Sequence, residues 1–170
     1  TLLAGAQRAP SSALIQARLS EIWLSLGYRD RSGEAADKAL ALDPELQRAH
    51  VMKGFAALTE YRTADARAAF DRAIALDQAD PMPRLGRGLA LIREGDLVAG
   101  RGELDAAVAL DSNRSLLRSY LGKAYFEEER SPLAREQYEI AKQLDPQDPT
   151  PYLYEAIRLR KFPAERPATP

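Results

Sequence analysis

The chain has no cysteine, one histidine (His50), one tryptophan (Trp23) and two methionines in 170 residues. Without thiols there is no disulfide framework and no thiolate nucleophile. With a single imidazole, no His-based metal site can be assembled. Net charge is also missing: 24 Lys and Arg stand against 25 Asp and Glu, leaving −1. Broad capture of nucleic acid needs a basic footprint, so that partner class is not expected. No apolar run approaches the roughly 20 residues that cross a bilayer, and direct membrane insertion is not expected either. The N-terminus lacks a charged-then-apolar leader and does not begin with Met, which reads as a piece cut or processed from something longer. An absence of cysteine fits cytoplasm and bacterial periplasm equally.

What is present is a beat. Asp43, Asp77, Asp111 and Asp145 stand 34 residues apart, each closing a Leu-Asp step. Gly54, Gly88 and Gly122 keep the same period, each followed two residues later by Ala. Between these marks the apolar residues follow a helical spacing. Met82, Leu85, Leu89 and Ile92 form one stripe, and Ala66, Phe70, Ala73 and Ile74 form another. Strand signals are absent. The pattern predicts helices over 12–26, 33–42, 46–59, 63–75, 82–94, 97–110, 114–128, 132–144 and 149–161. Prolines fall mostly at helix starts and turns, and Gly27 and Gly95 sit where a first helix turns into a second. Paired short helices repeating without strands make an all-α solenoid.

The spacing resembles the tetratricopeptide repeat (TPR), a 34-residue unit carrying W-x2-L-G-x2-Y, then A-x3-F, then a late Ala and Pro. The units are read as 13–46, 47–80, 81–114 and 115–148. The fourth supplies Leu121, Gly122, Tyr125, Ala134, Tyr138, Ala141 and Pro146 at family positions, with Arg118 in place of the Trp. The second supplies Gly54, Ala66, Phe70 and Ala73, with His50 in the Trp place, and the third Gly88, Leu91, Leu104 and Ala107. The first departs furthest: Trp23 takes the Tyr place, and Ser20 and Ala36 replace the usual Gly and Phe. The resemblance implies antiparallel helix hairpins stacked in a right-handed superhelix. Residues 1–9 then read as the end of a preceding second helix, 149–161 as the first helix of a fifth unit or a capping helix, and 162–170 as a flexible Pro-rich tail. The C-terminal helix resembles TPR regions of large bacterial cell-envelope proteins.

In TPR proteins the first helices line a concave groove through the second, fifth, ninth and twelfth places of each unit. Carried over, the first unit supplies Leu14, Ala17, Glu21 and Leu24, and the second Arg48, Val51, Phe55 and Leu58. The third supplies Met82, Leu85, Leu89 and Ile92, and the fourth Leu116, Ser119, Lys123 and Phe126. The middle units give an almost wholly apolar strip, suited to an amphipathic helix or peptide. Packing between neighbouring first helices is the competing use of the same residues. The Lys, Asn and Arg clamp for a chaperone's C-terminal carboxylate is missing. Lys53, Arg84, Arg87 and Arg118 stand where the family has Leu or Trp. They either cover apolar surface with their stems or grip acidic segments.

Chemistry is hard to build from these residues. His50 stands at a packing position, and the acidic pairs and the run Glu127-Glu128-Glu129 sit at helix ends and exposed faces. Gly86-Arg87-Gly88 and Gly100-Arg101-Gly102 follow no strand and lack a phosphate-loop fingerprint. The expectation is a non-catalytic protein-interaction scaffold without cofactor, holding a peptide or helix segment and forming part of a larger bacterial protein. The alternative is a spacer or self-assembly module of a multidomain envelope or secretion protein, associating through its terminal half-repeats.

Overall fold

A computed structural model describes residues 12–163. Residues 1–9, expected to end a preceding helix, lie outside the described residues, as does the expected tail from residue 164 onward. Among the described residues there is no strand, and nine helices run in sequence: α1 (Ala13–Ser25), α2 (Arg29–Leu42), α3 (Gln47–Thr59), α4 (Thr63–Leu76), α5 (Pro81–Glu94), α6 (Leu97–Leu110), α7 (Ser115–Glu127), α8 (Ser131–Leu144) and α9 (Pro149–Lys161). Each helix packs on the next in sequence, and each odd-numbered helix also packs on the following odd-numbered one. The result is a solenoid of hairpins with α1, α3, α5, α7 and α9 side by side on one face.

Glycine sets the spacing of the stack. Phe70 of α4 is fully buried, and its ring lies against both Gly54 of α3 and Gly86 of α5. A Cβ built on Gly54 would sit 2.5 Å from that ring, and one on Gly86 closer still. Gly122 leaves room for the Tyr138 ring in the same way. A Cβ on Gly88 would come within 2.7 Å of the Gly100 carbonyl and 3.1 Å of Leu104. Each large side chain of a second helix thus fits a place on a first helix that only a missing methyl leaves open. The first hairpin uses another device. Ala36 replaces the ring, and Ser20 Oγ donates to the Ser32 carbonyl at 2.8 Å, with the two hydroxyls 3.0 Å apart. Both serines are fully buried, so the pair satisfies itself where the other hairpins need no polar atoms.

The turns repeat as strictly as the packing. Gly27, Tyr61, Gly95 and Glu129 all have positive φ, at 82°, 62°, 94° and 59°. They stand 34 residues apart. In each case the next residue donates its N–H to a carbonyl five back, as in Tyr28 to Trp23 at 2.8 Å and Arg130 to Tyr125 at 2.8 Å. That is the left-handed helix stop. The sequence spacing predicts a start for α2 at 33. The structure starts it at Arg29, because the stop at Gly27 frees Arg29 to enter the helix at once. The aspartate column closes the other kind of turn: Asp43, Asp77 and Asp145 accept from Glu45, Ala79 and Gln147 N–H at 3.0, 2.9 and 3.0 Å.

Two expectations follow. Gly86→Ala lowers unfolding free energy by about 1–3 kcal/mol, the usual cost of overpacking. Gly102→Ala, with open space at its Cβ position, is neutral or stabilises by up to about 1 kcal/mol. Urea titration of both variants checks this, and equal effects at the two sites would contradict it. Glu129→Gly removes a left-handed non-glycine residue and raises the melting temperature by about 2 °C. The exposed Glu129–Lys161 pair at 3.2 Å contributes too little to reverse the sign, and a lower melting temperature would contradict the reading.

Candidate functional site

The odd-numbered helices enclose a cavity of about 500 Å³. Its apolar walls are Leu24 of α1, Phe55 and Leu58 of α3, Leu89 and Ile92 of α5, and Leu97 at the start of α6. Tyr120 of α7 and Tyr154 of α9 close one end, and Thr59, Arg93, Lys123 and Glu127 form the polar part. The charged groups already have partners within the protein. Lys123 pairs with Glu127 at 2.9 Å. Arg93 donates to the Leu58 carbonyl and lies over the Tyr61 ring, 4.7 Å from its centroid.

The residues expected from the sequence to line a groove divide into several groups. Phe55, Leu58, Leu89, Ile92 and Lys123 meet at this cavity. Arg48, Val51 and Met82 line a smaller depression of about 360 Å³ with Glu21, Asp80 and Arg114, where Arg48 pairs with Glu21 at 3.4 Å. Leu85 and Ser119 lie under the surface, 2% and 0% exposed. Phe126 is met edge-on by Phe162, with ring centroids 6.2 Å apart, and by the Lys161 ammonium 5.2 Å from its centroid. The wall residues not anticipated stand at three other places of the repeat. Tyr120 and Tyr154 occupy the sixth place, Thr59, Arg93 and Glu127 the thirteenth, and Leu97 the seventeenth. The 34-residue column was the signal that could have found them.

The basic column points away from capture of a ligand. Lys53 reaches Asp37 at 2.8 Å and Arg87 reaches Asp71 at 2.8 Å, equivalent pairs one repeat apart. Arg87 also reaches Glu103 at 2.5 Å, and Arg84 reaches the same carboxylate at 3.4 Å. Arg118 donates to Gln137 at 3.1 Å. These cations tie each first helix to its neighbouring second helices. Burial opposes the Arg87 charge, but hydrogen bonds to Glu103 and Asp71 outweigh it and raise its pKa.

The cavity's end wall depends on how α9 is held. Arg158 is fully buried, donates to Ser131 Oγ at 3.0 Å and lies 3.6 Å from Glu155. Glu155 in turn pairs with Lys142 of α8. Tyr154 stands edge-on to Tyr120, with centroids 5.7 Å apart. Burial pushes the Tyr138 and Tyr154 hydroxyls well above their ordinary pKa, so both stay neutral. Asp148 caps α9, accepting from Thr150 N–H at 2.9 Å and from Ser115 Oγ at 2.7 Å.

No family model and no curated protein matches the sequence. Among solved structures the chain is similar to TTC0263, a thermophilic TPR protein of Thermus thermophilus. The TM-score is 0.85 at 20% identity, over 94% of this chain and 87% of that one. The chain has the TPR fold. YrrB, a TPR protein with an unusual peptide-binding site, aligns at TM-score 0.63 and 17% identity, over 98% and 86% of the two chains. PilF of Pseudomonas aeruginosa aligns at TM-score 0.72 and 19% identity, over 95% and 74%. Identities of this size carry the TPR fold and nothing finer.

Among the described residues no group of three or more His, Cys, Asp and Glu side chains is placed to hold a metal. His50 is engaged with the Pro44 carbonyl at 2.8 Å. No helix among the described residues is long and apolar enough to cross a membrane.

The cap at Asp148 gives a pH test. Burial works against its charge, yet the hydrogen bonds from Thr150 and Ser115 outweigh it and hold its pKa below the ordinary 3.8. A depressed carboxylate contributes stability that is present above the unfolded value and lost as pH falls through the folded one. Asp148→Ala therefore costs about 1 kcal/mol at pH 7, and the gap to wild type narrows at pH 3. Urea titrations at the two pH values check this, and a gap that is unchanged would contradict it.

Proposed function

We propose that this protein is a non-catalytic scaffold that holds a peptide or helical segment of another protein against its concave face. The observation that carries the reading is the apolar cavity of about 500 Å³ assembled from all five odd-numbered helices. A concave, mainly apolar site with a few polar groups at its edge is the usual form of a binding site. Apolar side chains contributed by successive helices suit an amphipathic segment with anchors one helical turn apart. The peptide-binding site of YrrB belongs to a protein of the same fold and supports the same use here. A larger bacterial parent protein is part of this reading.

A second reading, an assembly module, draws on one specific feature. Tyr152, Leu153 and Ile157 of α9 are 46%, 59% and 45% exposed and face outward at the end of the array.

Peptides selected from a random library on the immobilised protein test the groove. Binding is expected to fall by about 2 kcal/mol, roughly thirtyfold, in Ile92→Ala and to disappear in Ile92→Asp. Val98→Asp, an exposed substitution on α6, is expected to leave affinity unchanged. The proposal is contradicted if no selected peptide loses affinity in Ile92→Asp.

A further inference from the structure

Cations at the fourth and seventh places of a first helix meet an acceptor at the twenty-third place, on the second helix of the same unit. In the third unit Arg84 and Arg87 both reach Glu103. In the fourth, Arg118 donates to Gln137 at 3.1 Å and, through Nε, to the Ser112 carbonyl at 3.2 Å. The first unit has no cation and no such acceptor, since its three places hold Gln16, Leu19 and Ala35. The second unit departs from this matching. His50 and Lys53 stand in the donor places, and Ala69 stands where Glu103 and Gln137 do. Lys53 keeps the pair with Asp37 that matches Arg87–Asp71, and lacks the second carboxylate that Arg87 has. His50 donates Nε2–H to the Pro44 carbonyl at 2.8 Å, as Arg118 does to Ser112. The hydrogen bond that Arg118 makes to Gln137 has no counterpart at Ala69.

Where the acceptor is missing there is a depression of about 390 Å³, lined by Ala69 together with His50 and Lys53. Leu40 and Ala57 give it apolar wall, and Arg62 and Arg72 add two more cations. Asp65 is the one carboxylate among the lining residues, and Arg62 holds it at 3.0 Å. Arg72 reaches Glu45 at 3.4 Å, a pair open to solvent on both sides and worth little by itself. None of these residues lines the concave cavity. We infer that the depression binds a carboxylate on a short apolar stem, a glutamate-like group in the place that Glu103 fills one repeat later. The Lys53 ammonium has three donors and uses one on Asp37, so it can receive a second carboxylate through a charge-assisted hydrogen bond. Arg72 supplies further positive charge, and Leu40 and Ala57 suit the stem. The cations outnumber the acid in the lining, which favours an anion over a neutral group.

Two probes, glutarate and the peptide acetyl-Ala-Glu-Ala-amide, are titrated into the whole chain while amide shifts at Ala57 and Ala69 are followed by NMR. Saturable shifts are expected with at least one of them, and none with glutaramide, which has the same stem and no charge. Tighter binding of the peptide assigns the carboxylate to a partner's side chain, and tighter binding of glutarate assigns it to a free acid. Lys53→Gln is expected to weaken binding by about fivefold, the scale of one exposed ion pair. Ala69→Glu supplies the missing carboxylate from within, as Glu103 does, and is expected to abolish binding while the fold is kept. Should that variant not fold, Lys53→Gln still decides, because Lys53 is exposed. Ile92→Asp is expected to leave these titrations unchanged, which separates the depression from the concave cavity. The inference is overturned by an absence of saturable shifts, by equal binding of glutaramide, or by binding that Lys53→Gln does not weaken.

Discussion

The arrangement depends on the ring of Phe70 sitting against two glycines on two different helices. Because Gly54 and Gly86 lack a Cβ, α3 and α5 come close enough to enclose the ring completely. Phe55 meets that ring edge-on, with centroids 5.0 Å apart, and also lines the cavity. One aromatic side chain therefore fixes the hairpin, its neighbour and a wall of the binding surface. Such contacts resist change because a packed interior has no slack to absorb a methyl group. No hairpin buries its own apolar face, so each holds the next in place.

Polar interactions take the secondary role of registering helices that apolar packing has already brought together. The pairs Lys53–Asp37 and Arg87–Asp71 are partly or largely exposed, and each is worth little by itself. They recur at equivalent places, so their contribution is alignment along the stack more than stability. Glu103 is different. It is 18% exposed and accepts from both Arg84 and Arg87, which makes it the centre of a network across α5 and α6. Arg158 plays a similar part at the end of the array, where its charge is buried against α8 and shared with Glu155.

Much of this was legible in the sequence because the period is printed in residue identity. Gly54, Ala66, Phe70 and the aspartates gave the helices and their pairing directly. Tyr61 and Glu129 were invisible as left-handed residues, since neither has the glycine that marks such a stop at Gly27 and Gly95. The Ser20–Ser32 pair could not be read either, because a hydroxyl in the glycine column looks like drift until its partner is in view. At the cavity, the family places brought Phe55, Leu58, Leu89, Ile92 and Lys123 together. The same places gave no way to separate them from Leu85 and Ser119, one turn away and buried. Depth on a curved surface is set by how closely neighbouring helices approach, and that depends on glycine positions in other elements. Tyr154 carries only a packing signal in the sequence. It packs and also faces the cavity, because α9 stands in line with the other first helices.

The central claim is that the concave cavity contacts bound polypeptide, and methyl NMR of a complex tests it most directly. With the leucine and isoleucine methyls labelled and an unlabelled selected peptide bound, intermolecular Overhauser contacts are expected at Leu24, Leu58, Leu89 and Ile92. Contacts confined to outer residues such as Leu110 and Leu144, with none at those four, would contradict the account.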